Sequence, residues 1–123
     1  MGLDRTRALL DEVGAPDQGM RGVLVAGTNG KGSTCAFIST VLRYAGLRAA
    51  AMPKPHLVAY TERITVDGLP ISETDFAAAV TAMVPAIDRV AEVHGPPTEF
   101  EILTAVALRH ARDRGADLLV CEV

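Results

Sequence analysis

Tryptophan is absent from the 123 residues, aromatic side chains make up only 4%, and there are just two cysteines. A core must therefore come mainly from Ala, Val, Leu and Ile, which the 49% hydrophobic content allows. Clustered positive charge is lacking as well. With scattered basic residues and a formal net charge of −3, nothing gathers nucleic acid or an anionic membrane. No stretch approaches the roughly 18 apolar residues of a membrane span. The opening "MGLDRTRALLDEV" carries charges where a signal peptide would have an apolar block. The expectation is a soluble, cytoplasmic protein with neither nucleic acid nor membrane as partner. Cys35 and Cys121 have none of the close pairing of a zinc site and read as buried free thiols.

What is present suits one domain, residues 1–123, with alternating helices and strands. Leu3, Leu9, Leu10 and Val13 mark a short first helix that stops at Gly14 and Pro16. Val23–Ala26 and Leu118–Val123 are apolar runs without alternation, the pattern of strands covered on both faces of a parallel sheet. Between them, Lys31–Ala45 places Phe37, Ile38, Val41, Leu42 and Ala45 at helical spacing, a face expected to pack on the sheet, and Gly46 ends it. "LRAAAMP" reads as a second strand and "ERITVDGLPIS" as an extended stretch turning at Asp67 and Gly68. Ser72 with Asp75 opens another helix, which Pro85 is expected to kink or restart. Thr98 with Glu101 opens the last helix by a capping-box pattern, and Gly115 closes it. Strand, helix, strand, helices, strand implies an α/β fold with a mostly parallel sheet flanked by helices.

The chemistry concentrates in "VLVAGTNGKGSTCAF", residues 23–37. A strand that runs into glycines and then a helix leaves main-chain N–H groups converging on one concavity at the positive end of the helix dipole. Gly27, Gly30 and Gly32 let the backbone curl round oxygen atoms; Thr28 and Asn29 complete the loop. Lys31 can reach terminal phosphates, and Ser33 or Thr34 can meet Mg²⁺, so ATP and Mg²⁺ are the expected cofactors. The common G-x-x-x-x-G-K-[ST] spelling would need glycine at Val25 and a hydroxyl at Gly32; the loop is instead G-T-N-G-K-G-S-T.

That spelling resembles the ATP loop of Mur-type ligases, and specifically of the folylpolyglutamate synthase and dihydrofolate synthase family. "GLDRTRALLDEVGAP", "PHLVAYTERITVDGLPIS", "TEFEILTAVAL" and "DLLVCEV" are similar to family segments in the family's order. The resemblance implies a P-loop-containing, Mur-ligase-like ATP-binding domain, incomplete at 123 residues and without the family's C-terminal glutamate-binding domain. It implies an ATP-dependent ligase, monomeric at full length, that adds L-glutamate to dihydropteroate or a folate through an acyl phosphate. These residues alone are expected to bind ATP without turnover.

By the same resemblance Glu122 is a Mg²⁺ ligand beside Ser33, and Lys31 serves the phosphoryl transfer. His56 lies in a loop over the active site, where it positions substrate. Thr98, Glu99, Phe100 and Glu101 help hold the pterin part of the substrate. Thr98 and Glu101 are equally accounted for by helix capping, and Phe100 by core packing. Arg63 suits an anion or an ion pair with Glu62, and His94 and His110 suggest no function. One departure stands out. Lys54 in "KPHL" occupies the position of a metal-binding serine in the family, and a protonated lysine has no acceptor for a metal. Its ammonium either replaces part of the metal's charge or weakens the metal site.

Overall fold

The computed structural model describes residues 2–52, 61 and 64–122, and the statements that follow concern those residues. In chain order they form α1 (Gly2–Glu12), β1 (Arg21–Val25), α2 (Lys31–Tyr44), β2 (Ala49–Met52), β3 (Thr65–Val66) and β4 (Leu69–Pro70). There follow α3 (Glu73–His94), α4 (Glu99–Asp113) and β5 (Leu118–Glu122). The sheet has five strands in the order β1-β5-β2-β3-β4. β5 pairs parallel with both β1 and β2, while β3 and β4 are added antiparallel. The last strand in sequence is thus inserted between the first two. Its unbroken apolar run, Leu118 to Cys121, suits a position paired on both edges, and Val120 is almost wholly buried.

The two sheet faces receive different helices. Leu119 and Cys121 pack on a core with Leu9, Val106 and Met83, which belong to α1, α4 and α3; Val120, pointing the other way, packs with Val25 and Cys35 under α2. α2 turns Cys35, Ile38 and Leu42 to the sheet, whereas Phe37 is 72% and Val41 66% exposed. The periodic face expected from the sequence is therefore split, because α2 lies across β1, β5 and β2 and only the stripe turned to those strands is covered. β1, expected to be covered on both faces, is an edge strand with only Val25 buried.

Local signals account for the helix ends. The Ser72 hydroxyl accepts from the Asp75 amide at 3.0 Å, and the Asp67–Gly68 turn between β3 and β4 has positive φ at both residues, as a two-residue hairpin requires. Pro85 does not restart α3, which runs on to His94. Burial of Met83, Ala86 and Val90 on either side of it outweighs the missing hydrogen bond, a cost of about 3 kcal/mol for proline within a helix. No helix among the described residues is long and apolar enough to cross a membrane.

Gly22 sets the spacing of β1 against β5. A Cβ there would come within 2.9 Å of the Leu119 carbonyl oxygen. Gly22→Ala is expected to lower stability by about 1–3 kcal/mol, the usual cost of overpacking, read as a fall in the thermal midpoint of several degrees.

Candidate functional site

The parallel register sets Val25, the last residue of β1, level with Glu122, the last of β5. The glycine-rich turn that leaves β1 and the Glu122 carboxylate therefore share the carboxyl end of the sheet, where α/β folds place their ligands. Glu122 acts electrostatically on α2. The Cys35 thiol is pushed up chiefly by its own burial, with the negative charge of Glu122 adding to the effect. That carboxylate thus lies near the first turns of α2.

The turn is built for exposed main-chain amides. Gly27 and Gly30 have φ of 148° and 76°, conformations a side chain opposes. Gly30 is the N-cap of α2 and offers no side-chain cap, while its carbonyl accepts from the Thr34 amide at 2.9 Å. The first amides of α2 consequently lack a side-chain oxygen from the cap, at the positive end of a 14-residue helix. Lys31 is half-buried, and Thr28, Asn29, Ser33 and Thr34 are exposed around it.

Gly32 is informative because the protein itself does not demand it. It lies within α2, carries no positive φ, and a Cβ built on it would meet nothing within 4 Å. Glycine in a helix is disfavoured relative to alanine by roughly 0.5–1 kcal/mol, so its use there points to something else occupying the space above the loop. A phosphate pressed onto the amides of the turn fits that space.

The Thr98–Glu101 segment lies elsewhere and is largely spent on structure. Thr98 caps α4 and both halves of the capping box form: the Glu101 amide donates to the Thr98 hydroxyl at 3.2 Å, and the Thr98 amide to the Glu101 carboxylate at 2.9 Å. The same carboxylate accepts from the Arg5 guanidinium at 2.8–2.9 Å and from the Thr6 hydroxyl at 2.8 Å, which locks α1 to α4. Nothing in the sequence announces Arg5 and Thr6, which lie 96 and 95 positions away. Glu99 is exposed, and Phe100 is 60% exposed, not in the core as packing alone would have it, because the α4 N-terminus turns it outward from the buried Glu101 side.

Of the remaining candidates, His56, Lys54 and Arg63 lie outside the described residues. His94 is exposed at the end of α3; burial pushes His110 down, helped by the charge of Arg114. Cys35 is buried and Cys121 half-buried, both free.

A glycine-rich strand-to-helix turn at the carboxyl end of a sheet, with an acidic strand tip beside it, defines a P-loop α/β protein of the Mur-ligase type. No family model matches the chain. A "Dihydrofolate synthase/folylpolyglutamate synthase" of Bacillus subtilis is 41% identical to it over 123 residues, 98% of this chain and 29% of that protein. Among solved structures, Mycobacterium tuberculosis folylpolyglutamate synthase complexed with ADP superimposes with a TM-score of 0.91 at 31% identity, covering 98% of this chain and 28% of that one. An FPGS–AMPPCP–folate complex gives 0.89 at 36% identity, over 97% of this chain and 30% of that one. Over its own length the chain belongs to the folylpolyglutamate synthase/dihydrofolate synthase family, and it spans under a third of these relatives.

Glu101 supplies a test of the α1–α4 lock. Its carboxyl is held down at about 2, first by Arg5, with the hydroxyl and amide donors assisting. A depressed carboxylate stabilises the fold above its unfolded value, near 4.5, and loses that contribution as pH falls from there towards 2. The thermal midpoint is expected to drop through this acid range. Glu101→Gln should lower it at neutral pH by an amount corresponding to about 1–3 kcal/mol and flatten the acid limb; an acid limb unchanged in the variant contradicts the assignment.

Proposed function

We propose that this chain supplies the ATP-gripping part of a carboxylate–amine ligase that joins L-glutamate to dihydropteroate or to an existing folate. The observation that carries the proposal is the uncapped, glycine-built start of α2, with Gly32 left bare towards open space. Family membership supports the choice of reaction, and the related structures named above hold ADP, or AMPPCP with folate.

In this reading the amides of residues 27–34 and the Lys31 ammonium hold the β- and γ-phosphates. Phosphoryl transfer needs charge neutralised and reactants aligned more than a covalent helper, which is what a rigid backbone cradle provides. A substrate carboxylate oxygen attacks the γ-phosphorus as its bond to ADP breaks, giving an acyl phosphate. The neutral amine of glutamate then attacks the acyl carbon; inorganic phosphate leaves, the nitrogen gives up a proton and an amide remains.

Mg²⁺ suits the donors available. No group of three or more His, Cys, Asp or Glu side chains gathers among the described residues, so those residues alone build no metal cage. Mg²⁺ is commonly held by one or two carboxylates together with substrate phosphates and water. Glu122 and Ser33 are the residues that would hold it, and its contribution there is neutralisation of phosphate charge.

For the pterin, Phe100 is the member of its segment free to offer a ring face, since Thr98 and Glu101 are engaged in the cap. His56 is proposed only to position substrate. Because the chain spans under a third of these relatives, the 123 residues alone are expected to bind ATP without turning it over.

Two substitutions test the grip by isothermal titration with ATP and Mg²⁺. Lys31→Ala is expected to weaken affinity by about 10- to 100-fold, the worth of a charge-assisted contact. Gly32→Ala should hold or raise the thermal midpoint, by up to about 1 kcal/mol of helix propensity, while weakening ATP at least tenfold. Undiminished affinity in both variants would remove the proposal.

A further inference from the structure

The start of α4 stands at the same end of the sheet as the glycine turn, on the opposite face. Only residues 114–117 join α4 to β5. The Arg48 guanidinium donates to the Arg114 carbonyl and the Asp117 amide to the Arg48 carbonyl, each at 2.7 Å, which ties this connection to the start of β2. Ala111, in the last turn of α4, packs with Leu119 near the start of β5. The helix therefore runs back along β5, and its 15 residues span about 22 Å against about 17 Å for the five-residue strand. Thr98, Glu99 and Phe100 consequently reach the carboxyl end of the sheet, where Glu122 and the turn that leaves β1 also lie.

What holds that end is a buried junction. Glu101 is the one charged side chain buried among the described residues. One of its carboxylate oxygens accepts from the Arg5 guanidinium and the Thr98 amide, the other from the Thr6 hydroxyl, so the group is turned into the fold and engaged on both oxygens. Phe100 sits between the two halves of the capping box, and its own carbonyl accepts from the Thr104 hydroxyl at 2.8 Å. Its backbone is thereby pinned while its ring remains exposed. Given the pterin role of Phe100 on which this rests, we propose that Arg5 and Thr6 are positioning residues for the pterin-bearing substrate: by holding Glu101 they fix the first turn of α4 and pre-set the Phe100 ring. A helix start that loses its cap frays. A ring carried on a fraying turn has to be ordered at the moment of binding, which costs affinity.

The test is isothermal titration of the 123-residue chain with pteroate, and separately with ATP and Mg²⁺, well below the thermal midpoint of each variant. Arg5→Met is expected to weaken pteroate by about 5- to 10-fold, the worth of a helix cap. Thr6→Val, a milder change that carries the test should Arg5→Met fail to fold, is expected to weaken it by at least about twofold. ATP affinity should be unchanged in both. In a Phe100→Ala background the same substitutions should cost no further pteroate affinity, because the ring they position is gone. Unchanged pteroate affinity in both variants, with only the thermal midpoint lowered, makes the junction purely structural and overturns the inference, as does a loss that persists at full size without the Phe100 ring. Weakening by Phe100→Ala but not by the Arg5 and Thr6 variants overturns this inference and leaves the pterin reading standing; a wild-type chain that binds ATP but no pteroate removes both.

Discussion

The insertion of β5 between β1 and β2 is the constraint from which the rest follows. Its backbone is satisfied on both edges by parallel ladders, and its side chains alternate between the three-helix face and the α2 face. The same ladder fixes the register that brings Glu122 level with the end of β1. A one-residue slip would send Val120 out of the α2 core and carry the carboxylate away from the glycine turn together. Core packing and site geometry are thus set by one strand, which is also the last to appear in the sequence.

At the start of α2, the sequence gives up local helix stability. α2 begins without a side-chain cap and with a glycine in its first turn, both unfavourable for an isolated helix. α4 shows the opposite solution. Its N-terminus has a complete capping box reinforced by Arg5 and Thr6 from α1, so its amides and its buried carboxylate are already answered within the fold. The two helix starts therefore differ in that α4 is answered by its own side chains and α2 has no side-chain cap.

Much of this was legible from residue patterns. The stretch at residues 27–34 names its conformation through glycine, and it runs from the turn after β1 into the first turn of α2. Ser72 and Thr98 announce their helices because a capping hydroxyl acts within three residues. At Pro85 the restart that the sequence allowed does not occur, because burial offsets a local backbone penalty that pattern alone cannot weigh. The α2 face was only half legible. Periodicity shows which residues share a side, but not which part of that side the sheet covers, and Phe37, Val41 and Tyr44 are left outside.

By itself the sequence determined most of the elements, the caps of α3 and α4 and the glycine-rich turn, all of which depend on interactions reaching a few residues along the chain. Only the tertiary structure decided that β5 is inserted between β1 and β2, that Glu122 stands level with Val25, and that Glu101 is held by Arg5 and Thr6. These contacts join positions about a hundred residues apart. Strand order and helix docking are set by which apolar faces find each other, and no local pattern records that choice.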